Sequence, residues 1–342
     1  MNEPLRVFDG HNDVLFATRE TGSITDRPDG GHIDLTRAQT GGFAGGFFAA
    51  YAGNDAVAGA ADVDLWAGEL PAAVPQPIAA REIADQFDRL DQWSKSVDGF
   101  ETVTTLDQLD ACLTGEFIGA VPHIEGAAAI RSDLRNLSSL YDRGLRSVGI
   151  VWSRPNQFGH GVPFIHDHSP DTGPGLTEDG ISLVSRCGEF GIVIDCAHLN
   201  ERGFWDVYDT TPHPMVVSHA GAHSVCPATR NLTDEQLTAI AETDGIVGIT
   251  LSVAHIRPDG RNDVETPIDV FCDHISYVVD HIGIDHVGIG SDFDGATIPN
   301  TVGDVTGLKP IFAALRERGY TAEELAALAQ TNWRRVIAST WQ

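Results

Sequence analysis

Eight short apolar runs recur along this chain, and helix-length segments alternate with them. The runs are LRVFDG (5–10), GGFAGGFFAAY (41–51), FIGAVPHIE (117–125), LRSVGIVW (145–152), GIVIDCAH (191–198), MVVSHA (215–220), GIVGITLS (245–252) and HVGIGSD (286–292). Each has the length of a strand. Between them lie amphipathic patterns such as SLVSRCGEF (182–190) and TPIDVFCDHISYVVDHI (266–282). Thr233 and Thr321 each precede acidic residues, as helix N-caps do. Strands alternating with helices pair in parallel, and eight such units predict a closed (β/α)8 barrel, the TIM-barrel fold. A doubly wound open sheet is the other parallel architecture, but no GxGxxG follows the first run. No fixed-period repeat or long linker divides the 342 residues, so residues 1–342 read as one barrel domain. The segment 154–175, rich in Gly, Pro, His and Asp, reads as a long functional loop.

A barrel carries its chemistry at the C-terminal ends of its strands. The polar residues found there converge on one chemistry. The first run ends in Asp9-Gly10-His11-Asn12-Asp13, the third in His123-Ile124-Glu125, the fifth in Asp195-Cys196-Ala197-His198, the sixth in Ser218-His219 and the eighth in Ser291-Asp292-Phe293-Asp294. His-x-Asp puts His11 and Asp13 on one side of an extended segment, so both can reach one metal ion. Glu125 ends an apolar strand, and its two oxygens can bridge two cations. The plain alternative for Glu125 is an ion pair to Arg131. His198 and His219 close adjacent strands, and neutral imidazole is a common zinc ligand. Asp292 stands where a carboxylate could take a proton from metal-bound water and pass it to a leaving amine. Asp294 reads as a helix cap. His160, His166 and His168 lie in the long loop and could line the mouth. His255 and the remaining histidines have no strand-end position and read as surface or structural residues.

Composition narrows the partners. A formal net charge of −27 disfavours nucleic acid and anionic membranes. The five cysteines are odd in number and form no CxxC, which argues against a disulfide framework and a cysteine zinc site. No stretch approaches the length of a membrane span, and residues 1–13 do not read as a secretion signal. The expectation is a cytoplasmic protein.

Taken together, DGHNDVL (9–15), HIEGAAAI (123–130), DCAHLN (195–200), VVSHAGAHSVCPATRNLTDEQL (216–237) and GIGSDFDG (288–295) resemble the renal (membrane) dipeptidase family of metallopeptidases, within the amidohydrolase superfamily. The likeness spans essentially the whole chain and points to the soluble bacterial members. It implies two zinc ions per chain: one on His11 and Asp13, the other on His198 and His219, with Glu125 bridging. It also implies proton transfer by Asp292 and capture of the substrate's terminal carboxylate by Arg230. The activity implied is hydrolysis of a dipeptide by metal-bridging hydroxide, in a homodimer. The alternative is a related reaction on N-acyl amino acids, lactams or lactones. The family usually carries a histidine at the end of the fourth strand, where it polarises the scissile carbonyl. Here Trp152 stands at that place, which leaves Arg154 or His160 as the replacement donor.

Overall fold

The computed structural model describes residues 5–27, 30–57 and 63–341. Its strands are β1 (Val7–Asn12), β2 (Phe43–Tyr51), β3 (Phe100–Thr102), β4 (Ile118–Glu125), β5 (Ser147–Gly149), β6 (Val193–Asp195), β7 (Val216–Ala220), β8 (Ile246–Ile249) and β9 (Val287–Ile289). All pairings between them are parallel. The ring runs β1-β2-β4-β5-β6-β7-β8-β9 and closes on β1 through Asp9 opposite Ile289. Each of the eight apolar runs contributes one strand to it, and the barrel is the expected one. β3 is an addition that the sequence reading passed over. It has three residues, only Phe100 is buried, and it pairs with residues 118–120 of β4.

Helices cover the outside of the ring. The N-caps expected at Thr233 and Thr321 form as reciprocal capping boxes with Gln236 and Glu324. The loop expected over 154–175 contains no helix or strand. Isolated bridges pin it, Gly161 to Leu199 and His166 to Ala228.

The barrel interior is filled from the floor upward. Trp333, fully buried, sends its indole N–H to the Ile289 carbonyl at 3.1 Å. A Cβ at Gly10 or Gly288 would stand 2.4 Å from its ring, so glycine at those positions makes room for the indole. Phe8 and Phe47 pack on Trp333 with ring centroids at 6.0 and 5.7 Å. His123 lies 5.9 Å from Phe47, and His11 lies 5.6 Å from His123. The packed column therefore passes from apolar to ionisable side chains along the barrel axis, as a barrel with its site at one end requires. All five cysteines are buried and unbridged. Among the described residues no helix is long and apolar enough to cross a membrane.

Candidate active site

The expected strand-end residues meet. Glu125, the last residue of β4, points one oxygen, Oε1, at three imidazoles. It lies 3.0 Å from His198 Nε2, 3.6 Å from His11 Nε2 and 3.7 Å from His219 Nε2. His198 Nε2 and His219 Nε2 are 3.0 Å apart, and His11 Nε2 is 3.3 Å from Asp13 Oδ2. Three overlapping groups of potential metal donors result among the described residues: Glu125 with His198 and His219, His11 with Asp13 and Asp292, and His11 with Asp195 and His219. His198 and Asp292 adopt φ of +65° and +62°. Backbone held in this region by non-glycine residues costs free energy and is concentrated at functional sites.

Behind the imidazoles stand serines, and Ser218 fixes which nitrogen of His219 faces the site. Ser218 donates its hydroxyl hydrogen to Asp195 Oδ2 at 2.6 Å, so its oxygen is left to accept from His219 Nδ1 at 2.8 Å. That tautomer turns the His219 Nε2 lone pair toward Glu125. Ser153 lies 2.8 Å from His198 Nδ1 and so holds that ring in place. On the other side, the Asp9 carboxylate accepts from the Ser291 backbone N–H and hydroxyl, both at 2.7 Å, and so holds the turn that carries Asp292.

The electrostatics fit a cation. Burial, then the neighbouring Asp13, lifts Glu125 well above the usual carboxylate range. Burial also pushes Asp292 up to about 6. His198 and His219 are held well below the ordinary imidazole value, by burial first, and so keep free lone pairs. Burial would lower His11 too, but Asp13 and Glu125 outweigh it and raise that ring to about 10. Two buried carboxylates, Glu125 and Asp13, the half-buried Asp292 and the neutral imidazoles form a donor set that matches zinc and other divalent ions. The ion pair considered for Glu125 does not form, since Arg131 pairs with Asp133.

The cluster lies at the base of a cleft of about 310 Å³. Trp152 and Arg230 both line it. Arg230 is buried rather than at the surface. It is 7% exposed, donates to the His219 carbonyl at 3.2 Å and leaves its Nε without a partner. Two expectations need correction. His160 is not among the residues lining the cleft, because its ring turns back to the Gly175 carbonyl of its own loop at 3.4 Å. Asp294 caps no helix; it accepts from the His32 N–H at 2.7 Å and from Arg27 at 3.1 Å, tying Arg27 and His32 to the cleft. Sequence reasoning missed Tyr51, Trp66, Phe164 and His255, which build the aromatic wall. Tyr51 ends an apolar run, the same signal that revealed Glu125. The other three lie outside any run and carried no signal.

A closed parallel barrel with a histidine–carboxylate cluster at its strand ends defines an amidohydrolase-like hydrolase. The chain belongs to the membrane dipeptidase family, peptidase family M19, whose family model matches residues 1–342. It is 42% identical over 234 residues to an uncharacterized protein from the pqqA 5′ region of Klebsiella pneumoniae, covering 68% of this chain and 86% of that one. With dipeptidase 3 of Rattus norvegicus it shares 27% identity, over 98% of this chain and 65% of that protein. A solved metallopeptidase from Rhodobacter sphaeroides, liganded with a phosphinate mimic of the dipeptide L-Ala-D-Ala, superposes with a TM-score of 0.94 at 40% identity. The match covers 99% of this chain and all of that one. The chain is a metallo-dipeptidase-type hydrolase.

Proposed function

We propose that this protein hydrolyses dipeptides with two zinc ions, one held by His11 and Asp13, the other by His198 and His219, and Glu125 shared between them. The observation that carries the reading is Glu125 Oε1, within 3.0–3.7 Å of three imidazole Nε2 atoms. The dipeptide-mimic complex of the Rhodobacter sphaeroides relative supports the substrate class. Zinc supplies Lewis acidity and makes water a nucleophile at neutral pH. The chain's own residues do the rest. Arg230 receives the terminal carboxylate on its open guanidinium edge. Asp292, at the cleft, holds the proton lost by the attacking water and delivers it to the leaving amine. The aromatic wall keeps bulk water from the reacting bond. The match of the family model over residues 1–342 supports one catalytic domain, and the odd, unbridged cysteines support a cytoplasmic setting. The family likeness supports a homodimer.

A panel of L,L- and L,D-dipeptides with zinc supplied, together with elemental analysis, tests the reading. Turnover with close to two zinc ions per chain is expected, and no turnover of any dipeptide would overturn it. Arg230→Ala should lower kcat/KM for dipeptides roughly 10- to 150-fold, the usual worth of a charged hydrogen bond. A dipeptide amide, lacking the carboxylate, should be poor with the wild type and little changed by the substitution. If the variant treats dipeptide and amide as the wild type does, the carboxylate clamp fails. The reading on N-acyl amino acids, lactams or lactones then moves ahead, and Trp152 at the fourth strand already favours that second reading.

A further inference from the structure

We propose that the phenol of Tyr51, held by Arg154, donates the hydrogen bond to the scissile carbonyl oxygen that Trp152 cannot supply. The proposal rests on the hydrolase reading above and adds a residue to it. An indole never becomes cationic, and the other loop candidate, His160, is turned away from the cleft. An acyl-transfer site still needs a donor where negative charge develops on oxygen.

Tyr51 is placed for that task. It is the last residue of β2 and stands opposite Glu125 in the β2–β4 register. Its side chain lines the cleft along with Asp13, Glu125 and Asp292. The ring is fixed between Phe16 and Trp152, with centroids at 5.2 and 5.3 Å. The decisive feature is on the phenol oxygen. Arg154 Nη2 lies 2.7 Å from it. A guanidinium only donates, so the phenol oxygen is the acceptor there and its own hydrogen remains available. Among the described residues nothing accepts that hydrogen. A hydrogen bond received on oxygen polarises the O–H and makes it a stronger donor.

Arg154 itself has no structural partner that explains its burial. It is 4% exposed, and no carboxylate lies within 4.0 Å of it among the described residues. The other hydrogen bond of its guanidinium is to Asn54 Oδ1 at 2.7 Å, and its Nε and Nη1 have no partner. Burying such a group costs free energy without stabilising the fold. It packs against the two rings at issue, 5.0 Å from Trp152 and 5.6 Å from Tyr51. Arg154 is therefore a positioning residue that acts through Tyr51.

The test compares wild type with Tyr51→Phe, which keeps the ring and removes only the hydroxyl. Zinc content, kcat and KM for L-Ala-D-Ala, and the Kd of its phosphinate mimic are measured on both. With zinc retained, kcat should fall about 10²-fold, the usual worth of one such donor, while KM changes little. The phosphinate, whose tetrahedral oxygen imitates the oxyanion, should bind correspondingly more weakly. Trp152→His in the Tyr51→Phe background should recover activity by restoring an imidazole. Arg154→Met should lower kcat in the wild type but add little in the Tyr51→Phe background, because the two act as a unit. Wild-type kcat and phosphinate affinity in Tyr51→Phe would overturn the proposal. So would a loss of activity that follows a loss of zinc, since the phenol would then support the ligands. Failure of the wild type to cleave dipeptides sinks the dipeptidase reading by itself, and the phosphinate comparison still decides the role of Tyr51.

Discussion

Glu125→Gln is expected to abolish the metal centre: at most one zinc per chain and a kcat lowered about 10³-fold or more, the several kcal/mol of charge stabilisation that metal catalysis supplies. The reason is stoichiometric. One Glu125 oxygen faces His11, His198 and His219 at once, so it stands against a histidine of each donor group. Glutamine has nearly the same shape, but it is neutral and presents one acceptor and an NH2 group. It cannot bridge two cations. The substitution should not unfold the metal-free chain, because burial already disfavours the charged form of Glu125. Elemental analysis and thermal unfolding of the metal-free proteins check both parts. Two zinc ions retained by the variant would remove Glu125 from the bridge, and a collapse of the metal-free chain would mark it as structural.

Asp292→Asn is expected to separate proton transfer from metal binding. The variant should keep most of its zinc and lose roughly 10²–10⁴ in kcat, the range for general acid–base catalysis. Asp292 stands beside His11 and Asp13 at the cleft, on a turn locked by the Asp9–Ser291 hydrogen bonds. Burial lifts its carboxyl above the usual carboxylate range, the direction a proton carrier needs. Asparagine keeps the shape and cannot carry the proton. Near wild-type kcat would refute the assignment. Zinc lost along with activity would show instead that Asp292 completes the His11–Asp13 donor group.

The two experiments probe residues that were legible in the sequence, and the structure brings each of them to the expected place. Tyr51 marks the limit of that legibility. It ends an apolar run, as Glu125 does, yet nothing near it in the chain distinguishes a cleft-lining phenol from an ordinary strand residue. Its importance comes from Arg154, 103 positions away, and from a register that sets it opposite Glu125. The expectation for His160 failed for a related reason. Loop composition predicts a mouth, but the direction of each side chain within a loop depends on which carbonyls its backbone brings near.

The sequence by itself determined the strand–helix alternation, the capped helix starts at Thr233 and Thr321, and which ionisable residues, His11, Asp13, Glu125, His198 and His219, stand at the strand ends. All of these are local: a run of apolar residues, a cap three positions before its partner, an ionisable group where a run stops. Only the tertiary structure decided what those groups do to one another. Closing the ring put Ser291 on Asp9 across 282 positions and Ser218 between Asp195 and His219. Those contacts choose the His219 tautomer and the turn geometry. Closure also seated Trp333 on the barrel floor against Gly10 and Gly288, and buried Arg154 behind Tyr51 and Trp152. Periodicity reports which face of a strand is apolar. It carries no information about which residue of a distant strand will stand opposite, because strand register and barrel closure are set by packing across the whole ring.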